Sequence, residues 1–127
     1  DLTEVMFSCV EGTLNEMPLH FSNQYAACVV LASQGYPGSY DKGKPIQGLE
    51  DASLLPNTLV FHAGTVLYRY NIVTNGGRVL GVTGLGSTLQ ESIARAYKGV
   101  EKISFQGMHY RKDIGKKALE WVHVKQE

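Results

Sequence analysis

Apolar residues at Leu2, Val5, Met6, Cys9 and Val10 recur at the spacing of one helical stripe, and Gly12 ends it. The spacing predicts a helix from the first residues. A chain that opens inside a helix, without Met, is expected to be a piece of something longer. Residues 25–33, YAACVVLAS, form a short continuous apolar run with β-branched valines, which predicts a strand covered on both faces. GYPGSYDKGKP then predicts a loop, because Pro37 and Pro45 remove backbone donors and Gly35, Gly38 and Gly43 permit turn dihedrals. LVFHAGT near Phe61, VLYRYNIV up to Val73 and RVLGVT from Arg78 predict three more strands. Asn75-Gly76 joins the last two as a two-residue hairpin signal.

Gly84, Gly86 and Ser87 close this run, and Ser87-Thr-Leu-Gln90 fits a capping box at the start of a helix. Leu89, Ile93, Ala96, Tyr97, Val100 and Ile103 supply that helix with a second apolar stripe. ISFQGMHYRKDIGKKALEWVHV predicts a short strand, a turn at Gly107 and a last, partly helical segment beginning near Asp113. The order points to an α+β fold, a largely antiparallel sheet with flanking helices. No internal repeat or low-complexity tract interrupts it.

With 127 residues, 43% of them hydrophobic, the chain has the material for one compact domain. Twelve basic and twelve acidic residues cancel, which removes any broad electrostatic footprint for nucleic acid or an anionic membrane. Any anion site must therefore be local. The apolar run around Val29 is too short to span a bilayer and the N-terminus has no signal-peptide pattern, so a cytoplasmic location is expected. Cys9 and Cys28 lie among apolar residues without CxxC spacing and are expected to be reduced core thiols. His20, His62, His109 and His123 show no metal-ligand spacing.

Three segments could carry chemistry. Arg78 follows Gly76 and Gly77 and shares a strand face with Leu80 and Val82; covered, it would need a carboxylate or an anion. It is equally readable as a solvated charge beside an Asn-Gly turn. GLGSTLQ, between a strand and a helix, has the look of a dinucleotide loop, but Leu89 stands where the third glycine belongs and a capped helix start explains the residues. YRKDIGKK gathers Arg111, Lys112, Lys116 and Lys117 around Asp113, either as a phosphate site or as a basic turn with Asp113 as N-cap. No Ser/His/Asp order, GxSxG elbow or cysteine beside a histidine suggests a self-sufficient active site.

In the order YPGSYDKG, VFHAGT, VTNGGRVLGVTGLGSTLQE, RAY and YRKDIG, the chain resembles the C-terminal domain of the glycinamide ribonucleotide synthetases, or phosphoribosylamine-glycine ligases, ATP-grasp enzymes of purine biosynthesis. The resemblance covers residues 1–119 and leaves 120–127 as a tail or linker. It implies a reaction in which ATP phosphorylates the glycine carboxylate and the amine of 5-phosphoribosylamine displaces phosphate. The products are glycinamide ribonucleotide, ADP and phosphate. ATP and Mg belong, by that resemblance, to ATP-grasp lobes of the same polypeptide that precede the DLTEV helix. The isolated chain is then expected to bind no cofactor and to be inactive. Its partners would be those lobes, phosphoribosylamine and glycine, with no nucleic acid and no membrane.

Related ATP-grasp enzymes carry an Arg-rich segment ahead of a glycine that binds substrate phosphate, and RKDIG looks like its counterpart. The resemblance therefore implies Arg111 and Lys112 as ligands of the ribose 5-phosphate, with Gly76, Gly77 and Arg78 lining the substrate side. Arg78 and Arg111 would then converge on one sugar phosphate. The alternative is a structural or docking module that touches no substrate.

Overall fold

A computed structural model describes residues 1–124. β5 (Arg78–Gly86) is the central strand of an antiparallel sheet ordered β1–β5–β2, with β1 at Tyr25–Ala32 and β2 at Thr58–His62. Val82 lies opposite both Val29 of β1 and Val60 of β2, and Leu80 opposite Leu31. Because side chains alternate across a strand, these residues share one face. That face is buried beneath α3 (Leu89–Val100), which contributes Ser92, Ala96, Gly99 and Val100. Ile46, Ala52, Val79, Ile103 and Phe105 complete the core, with Ala52 supplied by the short α2 (Leu49–Ser53).

The helix lies so near the sheet because glycines line the contact. A Cβ on Gly84 would collide with the Ser92 carbonyl oxygen and the Ala96 nitrogen, and one on Gly86 would stand 2.6 Å from the Ser92 nitrogen. From the helix side, a Cβ on Gly99 would come within 2.7 Å of Val82 Cγ1 and 2.8 Å of Thr58 Cγ2. The α3 start is capped one residue later than the sequence suggests. Thr88 Oγ1 accepts from Glu91 N at 3.1 Å, and Glu91 Oε2 accepts from Ser87 N at 2.7 Å.

The fold class and the two helical stripes agree with expectation, and several local details differ. β1 alternates in burial from Ala27 to Leu31 and also buries Ala32, leaving Cys28 and Val30 exposed on a bare sheet face with Leu59 and Phe61. Cys9 is exposed as well, so neither thiol is a core residue. VLYRYNIV is two strands, β3 (Thr65–Tyr68) and β4 (Asn71–Thr74), which pair as a separate hairpin. Its turn places Arg69 at φ 45° and Tyr70 at φ 69°, a backbone that sequence rules reserve for Asn and Gly. Asn75-Gly76 closes no hairpin, because β4 pairs with β3 while β5 pairs with β1 and β2.

The expected strand after Ile103 is reduced to single bridges, Ser104 to Gln47 and His109 to Ala32. The last helix, α4, spans Lys116–Val124, so the domain limit expected at residue 119 falls inside it, and residues 125–127 of the expected tail lie outside the described residues. At the other end α1 (Leu2–Glu11) forms as its stripe predicts, with Asp1 accepting from Thr3 N and Gly12 left-handed at φ 73°. It buries none of its residues; Leu2, Met6, Phe7 and Val10 face solvent. Among the described residues, no helix is long and apolar enough to cross a membrane.

Gly84→Ala should cost about 3 kcal/mol, since backbone rather than a mobile side chain obstructs the new methyl. Gly81→Ala, which would meet only Cys28 Sγ at 3.1 Å on the bare face, should cost less than about 1 kcal/mol. Urea denaturation of both variants measures the difference; equal losses would mean that helix–sheet spacing is not set by glycine.

Candidate functional site

Three loops meet at the Arg78 end of β5. Ala63 N and Gly64 N, between β2 and β3, both donate to Val79 O at 3.0 Å, and Asn75 N donates to Gly64 O at 2.8 Å. A Cβ on Gly76 would stand 3.0 Å from Gly64 Cα, so these two glycines press backbone against backbone. Gly77 lies beneath the rings of Tyr36 and Tyr40; a Cβ there would enter the Tyr36 ring and come within 3.0 Å of Tyr40 Cε1. Ser33 fastens the junction, its Oγ donating to Gly76 O and its N–H to Gly77 O, each at 2.9 Å. The paired glycines thus serve loop packing, and the room beside them is taken by Gly64 and two tyrosines.

What remains open is a cleft of about 560 Å³, bordered by Tyr36, Tyr40, Phe61, Gly76, Gly77 and Arg78. The tyrosine rings touch each other at a tilt, centroids 6.4 Å apart and planes at 60°, so a ligand would lie against them rather than between them. Arg78 is exposed and has no ion pair among the described residues. A smaller polar hollow, bordered by Ser33, Gly35, Ser39 and Tyr40, contains Lys44, whose ammonium already lies 3.7 Å from Asp41.

The second basic motif has a different environment. Arg111 forks onto Asp113, Nε to Oδ1 at 2.9 Å and Nη2 to Oδ2 at 2.7 Å, with the arginine side chain 73% exposed. This hydrogen-bonded pairing holds the Asp113 carboxyl below its ordinary value and raises Arg111. Asp113 is therefore a partner for Arg111, and its side chain does not cap α4. The Tyr97 hydroxyl ties the segment to α3, donating to Arg111 O at 2.8 Å and accepting from Ile114 N at 3.0 Å. Lys112 borders a shallow depression with Ile93, Tyr97, Asp113 and Lys116, and this depression has no residue in common with the Arg78 cleft. The two basic motifs sit in separate hollows.

At the start of α3, the Glu91 carboxylate occupies the place a phosphate would take. Hydrogen bonds from the Ser87 backbone and hydroxyl lower its pKa, and Arg95 pairs with it. Among the described residues, no three His, Cys, Asp or Glu side chains gather as metal ligands would. The residues that sequence reasoning passed over are Ser33, Tyr36 and Tyr40, about forty positions from the glycines they clasp, with no local signal beyond a Gly- and Pro-rich loop.

Residues 26–117 match the sequence model of the family described as phosphoribosylglycinamide synthetase, C domain. A phosphoribosylamine–glycine ligase from Synechocystis is 54% identical over 119 residues, covering 93% of this chain and 28% of that protein. A bifunctional purine biosynthetic protein of Dictyostelium discoideum is 46% identical, covering 100% of this chain and 16% of its own length. The crystal structure of a phosphoribosylamine–glycine ligase from Thermotoga maritima superposes with a TM-score of 0.68 at 36% identity, over 87% of this chain and 27% of that one. The chain thus spans under a third of the relatives it matches.

Asp113 should titrate below the ordinary carboxylate range in carbon-detected NMR, and Arg111→Ala should bring it back up. For a depressed carboxyl, the stabilising contribution is complete above the unfolded value and is lost as pH falls through the lower folded one. Because the pair is exposed, added salt should move Asp113 toward its ordinary value. An Asp113 midpoint indifferent to Arg111→Ala would mean that the fork does not persist in solution.

Proposed function

The chain belongs to the phosphoribosylglycinamide synthetase C-domain family, and on that premise we propose that it forms the substrate-side wall of a ligase that joins glycine to 5-phosphoribosylamine. In that reaction ATP activates the glycine carboxylate as an acyl phosphate, and the amine displaces phosphate to give glycinamide ribonucleotide, ADP and phosphate. The observation that carries the reading is Arg78: an exposed guanidinium without a carboxylate partner among the described residues, in a cleft large enough for a sugar phosphate. A guanidinium so placed can fork onto phosphate or carboxylate oxygens. Gly76 and Gly77 hold the adjoining backbone against the neighbouring loops.

Arg111 and Lys112 lie in a hollow of their own and do not join Arg78 on one phosphate; they are a separate candidate contact, with Asp113 as the internal anion that an incoming phosphate would have to displace. No residue of this chain is assigned a catalytic role. We assign ATP and Mg to parts of the longer polypeptide outside this chain. Those ATP-grasp lobes are also the proposed cover for the bare face of the sheet and for the apolar stripe of α1, both of which lie open. A cytoplasmic setting is part of the reading; exposed free thiols at Cys9 and Cys28 suit a reducing compartment.

In the full-length protein, Arg78→Ala should raise the KM for phosphoribosylamine about thirtyfold, the equivalent of ~2 kcal/mol for a lost charge-assisted contact, with the KM values for ATP and glycine little changed. Steady-state kinetics with each substrate varied in turn decides it, and an unchanged phosphoribosylamine dependence removes Arg78 from the site. The same measurement on Arg111→Ala judges the second contact separately. Covering of the bare faces is read by thiol alkylation. Cys9 and Cys28 should react readily in the 127-residue chain and at least tenfold more slowly in the full-length protein. Equal rates would remove both faces from any interdomain contact.

A further inference from the structure

Ser33 is nearly fully buried, 4% exposed, and both of its polar groups near the cleft are spent on consecutive carbonyls, those of Gly76 and Gly77. The peptide links at this point are trans; among the described residues only Tyr36-Pro37 is cis. A trans peptide carries its N–H opposite its C=O. Holding the Gly76 and Gly77 carbonyls toward Ser33 therefore turns the N–H groups of Gly77 and Arg78 away from it. Among the described residues, the N–H groups of Gly76 and Gly77 donate to no acceptor, although Gly77 is buried. Because Gly77 borders the cleft, its unpaired N–H is a donor that a ligand there can satisfy. Here it sits next to an arginine that also has no anion.

We infer that Ser33 is a positioning residue for an oxyanion site made by the Gly77 N–H and the Arg78 guanidinium, and that the anion is the phosphate of a sugar phosphate whose ring lies against Tyr36 and Tyr40. This rests on the reading of the cleft as the substrate side. Backbone donors held rigidly beside a cation favour a multi-oxygen anion, as in other concave arrangements of peptide N–H groups. The cleft volume, about 560 Å³, is several times what glycine alone would fill. Two tyrosines at its edge, each about a third exposed, present apolar ring surface together with hydroxyls, which suits a sugar better than a bare amino acid. The inference is therefore one of specificity: phosphoribosylamine, rather than glycine, is taken at this end of β5.

The test uses Ser33→Ala, Ser33→Thr and Arg78→Ala in the full-length protein. Ser33→Ala should raise the KM for phosphoribosylamine about tenfold while kcat and the KM values for ATP and glycine stay within about twofold, and Ser33→Thr, which keeps the hydroxyl, should restore most of the loss. A merely structural serine would lower the melting temperature and move all three KM values together, which overturns the inference. If Arg78→Ala raises the KM and Ser33→Ala does not, the positioning role fails while the cleft assignment stands; if neither variant moves it, both fail. Should Ser33→Ala not fold, the wild-type protein titrated with inorganic phosphate and followed by proton–nitrogen NMR still decides. The Gly77 amide should shift more than amides elsewhere, and a Gly77 amide that stays still at about 10 mM phosphate overturns the inference.

Discussion

A helix can approach a sheet to within backbone contact only where no side chains intervene, and the distance between α3 and β5 governs the rest of this molecule. Gly84 and Gly86 bare the strand along the contact, and Gly99 bares the helix opposite Val82 and Thr58. The close approach closes the core over Val29, Leu31, Leu80 and Val82. It also fixes Tyr97, whose hydroxyl holds the backbone of residues 111 and 114. Both basic motifs are thus referred to the same helix–strand pair: Arg78 at the opening end of β5, Arg111 by a tether to α3. The bridge from His109 to Ala32, itself opposite Arg78, joins their two backbones across the edge of β1.

The elements whose periodicity is internal were legible in the sequence. α1 and α3 each announce a stripe at helical spacing, and both form there, although α3 ends at Val100 and leaves Ile103 beyond it. What the sequence hid depends on partners. Asn75-Gly76 carries the strongest hairpin signal in the chain, yet β5 finds better neighbours in β1 and β2, so the dipeptide becomes a passage between two sheets. Arg69-Tyr70 carries no turn signal and makes the tight turn, because the pairing of β3 with β4 imposes it. Cys28 stands in an apolar run, but alternation sends it to the bare face.

The candidate site was half legible for the same reason. Gly76, Gly77 and Arg78 are adjacent and draw the eye as a group, whereas Ser33, Tyr36 and Tyr40 reach them only through folding. A Cβ on Gly76 or Gly77 would meet Gly64 or the rings of Tyr36 and Tyr40, so the two glycines let these loops pack closely. Asp113 was visible two positions from Arg111, and geometry decides that it answers the guanidinium and leaves the helix start to its own carbonyl, which accepts from Lys116 N at 3.2 Å.

The bare sheet face and the uncovered stripe of α1 put Val30, Leu59 and Phe61 on one surface and Leu2, Met6, Phe7 and Val10 on another. Water tolerates such area poorly when it is contiguous. Solubility of this region therefore depends on whether these two surfaces meet water or protein. Left uncovered, the 127-residue unit is expected to self-associate through them, even with every buried contact intact.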